Sequence, residues 1–187
     1  AGWLWSTSPR GTVEWYGIGQ SIGTYGMGKA PNGSPADYQG HIKSNSILIG
    51  NLAWRLTQNI NYSFWNYHAD NLFNMALQKI EVHKSFTKKS WRIGMQYLWQ
   101  AGLGDGTLPV ENQYINPDEK SHVLSARVAY TDDGEGSAWS LNYTRITRHG
   151  RFLFPREWGT ETLYTFNNRE RNEGAGDVHA VMVERRL

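Results

Sequence analysis

The sequence predicts an all-β chain: antiparallel strands of a transmembrane β-barrel, about nine or ten of them, in a single domain over residues 1–187 that is incomplete as a barrel. Three observations predict it. Several segments alternate between apolar and other side chains, the period of a two-faced strand. Tight polar turns alternate with mostly longer loops, as in outer-membrane barrels. Amphipathic rings are abundant, nine Trp and ten Tyr in 187 residues with 20 Gly and no Cys, and many sit near strand ends.

The first 45 residues hold one or two strands, near Trp3 and over 12–20, then a Gly/Pro loop over 28–40. Over 46–56, Leu48, Gly50, Leu52, Trp54 and Leu56 alternate with Ile49, Asn51, Ala53 and Arg55. A turn at 57–59 leads to a strand over 60–67, with Ile60, Tyr62 and Phe64 against Asn61 and Ser63. Residues 74–86 are less clean. Ala76, Ile80, Val82 and Phe86 share a parity against Lys79, Glu81, His83 and Ser85, but Leu72, Met75, Ala76, Lys79, Ile80 and His83 also fit helical spacing, with Asn71 as a cap. Strands on both sides favour a strand.

After a turn at 87–89, Trp91, Ile93, Met95, Tyr97 and Trp99 alternate with Arg92, Gly94, Gln96, Leu98 and Gln100. A Gly/Pro/Asp loop fills 101–120. Alternation resumes over 121–131, turns at 132–136 and continues with Trp139, Leu141 and Tyr143 against Ser140, Asn142 and Thr144. A long polar and aromatic stretch, 148–176, precedes a last strand over 177–187. The short connection at 68–71 is the exception among the longer loops.

A soluble barrel points its apolar parity inward; a membrane barrel points it outward. Trp54, Phe86, Trp91, Tyr130 and Trp139 share the apolar parity close to tight turns, and Tyr62, Phe64, Tyr97, Trp99 and Tyr143 lie further along. Two groups of rings with aliphatics between them match interfacial girdles. From Trp91 to Trp99 is ~26 Å at ~3.3 Å per residue, or ~20 Å of bilayer at a tilt of about 40°, near the ~25 Å apolar band of such barrels. A soluble core lined with aromatics is the competing account.

On the membrane reading the other parity lines a lumen. It carries Arg55, Lys79, Arg92 and Arg127 from four strands, with Glu81 as its carboxylate. Arg145 is a fifth pore-lining candidate, although it lies on the opposite parity to Asn142 and near the loops. Cations confined in a channel attract anions, and guanidinium matches carboxylate geometry. Solvated or acid-paired arginines are the bland alternative.

Other chemistries find little support. A net charge of +2 is too small to imply nucleic acid. Without Cys there are no disulfides or thiolate metal sites. His68, His83, His122, His149 and His179 lack metal-ligand spacing, and no G-x-S-x-G motif surrounds a Ser. The Gly-rich stretches at 17–28 and 102–106 are not followed by a helix, which argues against a phosphate loop. No catalytic residue, cofactor or metal is expected. No leader is visible at the start, so the chain is expected to be mature, trimmed or a fragment.

The string Arg148-His149-Gly150-Arg151-Phe152-Leu153-Phe154-Pro155-Arg156-Glu157-Trp158-Gly159, followed by Phe166-Asn167-Asn168-Arg169-Glu170-Arg171-Asn172-Glu173-Gly174, resembles a stretch of OprD-type outer-membrane porins. The likeness covers about the last three quarters of the chain. It implies an 18-stranded barrel with one pore per monomer, often trimeric, passing small solutes, commonly carboxylates, along basic lumen residues. Arg55, Lys79, Arg92 and Arg127 are where that ladder falls by parity. The chain is short for such a barrel and ends in Glu-Arg-Arg-Leu without a terminal aromatic, so a fragment, or a chain with gaps joined, is expected.

The expected function is therefore conduction of small, anionic or carboxylate-bearing solutes across the bacterial outer membrane. The expected partners are outer-membrane lipid or lipopolysaccharide and a homotrimer. Arg156, Trp158, Arg169 and Arg171 are constriction candidates, in a loop expected outside the cell and partly folded toward the pore. The alternative is a small closed barrel with a filled interior, acting in adhesion or anchoring, whose lumen arginines would pair with acids. An outer-membrane enzyme would need a Ser-His or Asp-His set, and none is found.

Overall fold

A computed structural model describes residues 1–9, 14–26, 28–167, 169 and 171–186. Among them are ten strands: β1 (Gly2–Leu4), β2 (Ser6–Thr7), β3 (Tyr16–Gly17), β4 (Ile47–Thr57), β5 (Ile60–Ala69), β6 (Phe73–Phe86), β7 (Lys89–Gly102), β8 (Lys120–Asp132), β9 (Ser137–Ile146) and β10 (Val178–Arg186). Eight form one antiparallel sheet in the order β1-β4-β5-β6-β7-β8-β9-β10, while β2 and β3 make a separate ribbon. The large sheet is open, with β1 and β10 at its edges.

The 74–86 segment is a strand throughout, because its neighbours supply a full ladder on each side. The strand expected over 12–20 is only partly realised. Thr12 and Val13 lie outside the described residues, Tyr16–Gly17 is extended, and Ile18–Ser21 forms a single helical turn, α1. Asn168, Glu170 and Leu187 also lie outside them.

Tight connections at 58–59, 87–88 and 133–136 gather at one end of the sheet. Gly136, at φ 66, closes the last of them. The long connections, 5–46, 103–119 and 147–177, gather at the other end. The short one there, 70–72, turns on Asn71 at φ 53, a conformation Asn tolerates better than most residues. It is braced from the N-terminal loop: Asn71 Nδ2 donates to the Lys43 carbonyl (3.1 Å) and Asn45 Nδ2 to Asp70 (3.1 Å).

The two faces are opposite in character. Leu52, Trp54, Trp91, Ile93, Met95, Leu124, Val128, Trp139, Leu141, Val181 and Val183 share one face and are exposed, Val181 at 67%. The other face buries Gln96, Gln100, Ser121, Ser125, Asn142 and Thr144 beneath the loops. A water-soluble sheet has the reverse arrangement. Each large apolar side chain left in water forfeits about 1.5–3 kcal/mol of burial, and a patch this size marks contact with an apolar medium or a partner.

The inner face is not uniformly polar, which corrects a simple parity rule. Near the turns it carries the charged residues. Toward the loops the same parity supplies Met75, Leu77, Leu98, Val123 and Ile146, which join Ile18, Ile22, Tyr114, Phe152, Leu153 and Leu163 from the loops in the hydrophobic core. The loops fold back over this end and need an apolar floor.

Candidate functional site

The register sets the basic residues on a common grid. Arg55, Asn61, Glu81, Gly94, Arg127 and Asn142 face one another in one row across β4 to β9. The next row toward the loops holds Ser63, Lys79, Gln96, Ser125 and Thr144. The next toward the turns holds His83, Arg92, Ala129, Ser140 and Glu184. Arg55, Lys79, Arg92 and Arg127 thus occupy three successive rows on the face opposite the exposed apolar one, each about 7 Å apart; Arg55 and Arg92 are exposed there, while Lys79 and Arg127 are partly covered by loop 147–177.

Arg145 does not join them. It pairs across the sheet with Leu124 and His179 on the outward face, and its guanidinium binds Asp177 and the Ile146 and Val178 carbonyls. Side chains alternate along a strand, so a residue one step from inward-facing Ile146 must point outward.

The four inward cations differ in their partners. Lys79 pairs with Glu81 at 3.1 Å and lies 5.6 Å above the Tyr164 ring. Arg127 lies 3.5 Å from Glu184, which also binds Arg186 at 2.7 Å. Arg55 donates to the Gln58 carbonyl in the turn. Arg92 has no acid partner among the described residues. Glu184 and Arg186 share this face, so Glu184 is a second carboxylate beside Glu81. The alternation of Val181 and Val183 with Met182, Glu184 and Arg186 is the sequence signal for both.

The loop 147–177 is fastened to this face by side chains that take the place of a ladder. Gln96 Nε2 donates to the Thr162 carbonyl (2.9 Å), and Gln100 both donates to the Leu153 carbonyl and accepts from its N–H. The Tyr164 N–H donates to Ser125 Oγ (3.1 Å), and the Thr165 hydroxyl to Thr144 (2.7 Å). Tyr164 then reaches Glu81 with its hydroxyl at 3.3 Å, over Gly94, where any Cβ would collide with the phenol. Burial, followed by the adjacent Glu81 charge, pushes the Tyr164 phenol far up, so it remains a donor.

Further toward the loop end, Arg151 grips Glu119 through Nε (2.8 Å) and Nη2 (2.7 Å). Arg156 Nε (3.1 Å) and the Tyr114 hydroxyl (3.0 Å) both donate to Glu173. Burial outweighs these bonds and pushes the Glu173 carboxyl up to about 7. Of the four constriction candidates, Arg156 and Arg171 share one open cavity with Lys29, Tyr38, Tyr114 and Glu173. Trp158 is a packing joint: its indole lies 5.9 Å from the Phe73 ring and donates to Ser21 Oγ. Arg169 is exposed and stands apart from that cavity.

No protein-family model matches this chain, and no curated protein sequence does. Solved structures share its fold. Over 97% of the chain it superposes on Pseudomonas aeruginosa OccK8 (OprE) with a TM-score of 0.73 at 10% identity. Over 97% it also superposes on Acinetobacter baumannii OccAB4 (0.68, 14%), and over 80% on Pseudomonas aeruginosa OccK10 (OpdN) (0.61, 11%). The chain spans 46%, 39% and 38% of those three proteins. They are outer-membrane porins of the OprD/Occ group, so the fold expected from the loop strings and the strand pattern is the fold observed: an antiparallel, unclosed part of a porin-type barrel.

Proposed function

We propose that this chain forms about half the wall of a channel in the bacterial outer membrane and conducts small anionic solutes, carboxylates among them. The observation that carries the reading is the inversion of the sheet: its apolar face is exposed, and the opposite face bears Arg55, Lys79, Arg92 and Arg127, with loop 147–177 folded over Lys79 and Arg127 and with Arg55 and Arg92 open nearer the turns. An apolar exterior suits lipid. Inside a narrow water-filled space, cations of one sign raise the local anion concentration. Arg92, free of an acid partner among the described residues, and Arg127, shared with Arg186 through Glu184, are the residues on which selectivity rests.

The ion pairs Lys79–Glu81 and Arg127–Glu184 and the apolar core at the loop end favour a second reading, a barrel with a filled interior. Planar-bilayer recording of the full-length protein decides between them. The channel reading expects discrete conductance steps and an anion-selective reversal potential, shifted toward cations in R92Q/R127Q with folding intact. Absence of conductance from correctly folded protein favours the filled barrel. Cation selectivity unmoved by the double substitution removes these residues from the conduction path.

A further inference from the structure

The outward face carries a polar cluster that conduction does not use. Just beyond the aliphatic rows, toward the long loops, two Tyr–His pairs stand on either side of Arg145. The Tyr97 hydroxyl and His122 Nδ1 are 2.8 Å apart, and the Tyr143 hydroxyl and His179 Nδ1 are 2.7 Å apart. Arg145 faces His179 directly across the sheet, in the row that continues through Leu124 to Tyr97. Nε2 of neither histidine has a partner among the described residues.

On the same face, immediately toward the turns, lie Met95, Leu141, Val181 and Val183, all exposed, and Leu124 stands exposed within the cluster's own row. A stripe of aliphatic side chains thus ends in a group of nitrogen donors. That sequence of surfaces complements a molecule with acyl chains and an anionic head. Lys120 stands two positions beyond His122 on β8, and the Arg148 charge acts on Asp177, the carboxylate bound to Arg145. The turn end of the same face is built differently. There Arg185 lies over Trp139 at 4.8 Å and Lys84 over Phe86 at 5.2 Å, so the cations are stacked on rings.

We propose that the loop end of the outward face across β7 to β10 binds the phosphate groups of an outer-leaflet glycolipid, with His122, Arg145 and His179 as donors and the aliphatic rows below as the seat of its acyl chains. The proposal rests on the porin-wall reading, which places the long loops outside and this row at the outer interface. A cation near a membrane surface favours anionic lipid, and Tyr at this depth favours the interface.

Native mass spectrometry of the full-length protein, titrated with diphosphorylated lipid A and with its dephosphorylated form, tests it. The expected result is about tenfold preference for the phosphorylated lipid, falling to within about twofold in H122Q/R145Q/H179Q and retained in the turn-end variant K84Q/R185Q. H179Q alone, at an exposed residue, is expected to lose several-fold and keeps the test open if the triple variant does not fold. Equal preference in wild type and variants overturns the proposal. So does inorganic phosphate that competes as well as the lipid, which would mark a free-anion site. A variant that changes subunit stoichiometry without changing lipid preference makes this face a contact between copies and also overturns it. Conductance measured on the same preparations separates the two readings: intact conductance without lipid discrimination removes only the lipid site, and absent conductance removes the channel.

Discussion

Glu184 neutralises Arg127 and Arg186 together, so its removal should act in the opposite direction from removing arginines. Glu184→Gln is expected to strengthen anion selectivity, moving the reversal potential away from the cation side in a salt gradient. An unchanged potential would mean that this row lies off the path of the ions. Gly94 makes a second residue-scale prediction. Any Cβ there meets the Tyr164 phenol, and overpacking of this kind typically costs about 1–3 kcal/mol. Gly94→Ala should lift the loop tip and speed hydrogen exchange around residues 162–166. In a background of Tyr164→Ala the same change should add almost nothing, because the clash is gone. Additive effects in the double variant would place the strain elsewhere.

At the scale of elements, loop 147–177 has a predictable pH response. The Glu173 carboxyl is raised from its ordinary 4.5 to about 7 by burial. A raised acid favours its neutral form in the folded loop, so its contribution is fully present below about 4.5 and is lost as pH rises through about 7. Corrected hydrogen-exchange protection over 150–175 should therefore fall between those values, and Glu173→Gln should flatten the dependence. Protection that rises over that interval would show that the Arg156–Glu173 charge pair dominates instead. For strand β7, spin labels at Trp91 and Arg92 should differ in access to a lipid-soluble quencher, 91 high and 92 low. Equal access would contradict the alternation. The strand itself was legible from its sequence because Trp91 to Tyr97 alternate without interruption. Leu98 and Leu77 broke the expected polar lining because loop residues such as Leu153 and Leu163 pack in the same core, and packing between segments distant in sequence leaves no local period.

For the whole molecule, selectivity from confined charge must weaken with salt. The screening length falls from about 10 Å at 0.1 M to about 3 Å at 1 M, while successive basic rows are about 7 Å apart. The anion preference of the full-length channel should therefore decline steeply between those concentrations. A preference independent of salt would point to direct coordination by single side chains. The open edges at β1 and β10 bear on scale as well. The chain aligns with under half of each porin it resembles, so on the proposed channel reading these rows would line one side of a lumen, and the opposing side would set how narrow it is.

The sequence by itself determined the all-β class, the positions of seven long strands, the tight turns and the parity of Arg55, Lys79, Arg92 and Arg127. These follow from backbone geometry: in an extended chain neighbouring side chains point to opposite faces, so a local period of two reports orientation directly. Only the tertiary structure decided that Arg145 faces outward against His179 and Asp177, that Glu184 shares a face with Arg127, and that Trp158 anchors the N-terminal loop while Arg156 and Arg171 share a cavity. Those outcomes depend on register between strands and on where a long loop comes to rest. Both are set by contacts between residues tens of positions apart, such as Gln96 with Thr162 and Trp158 with Ser21, which no local pattern encodes.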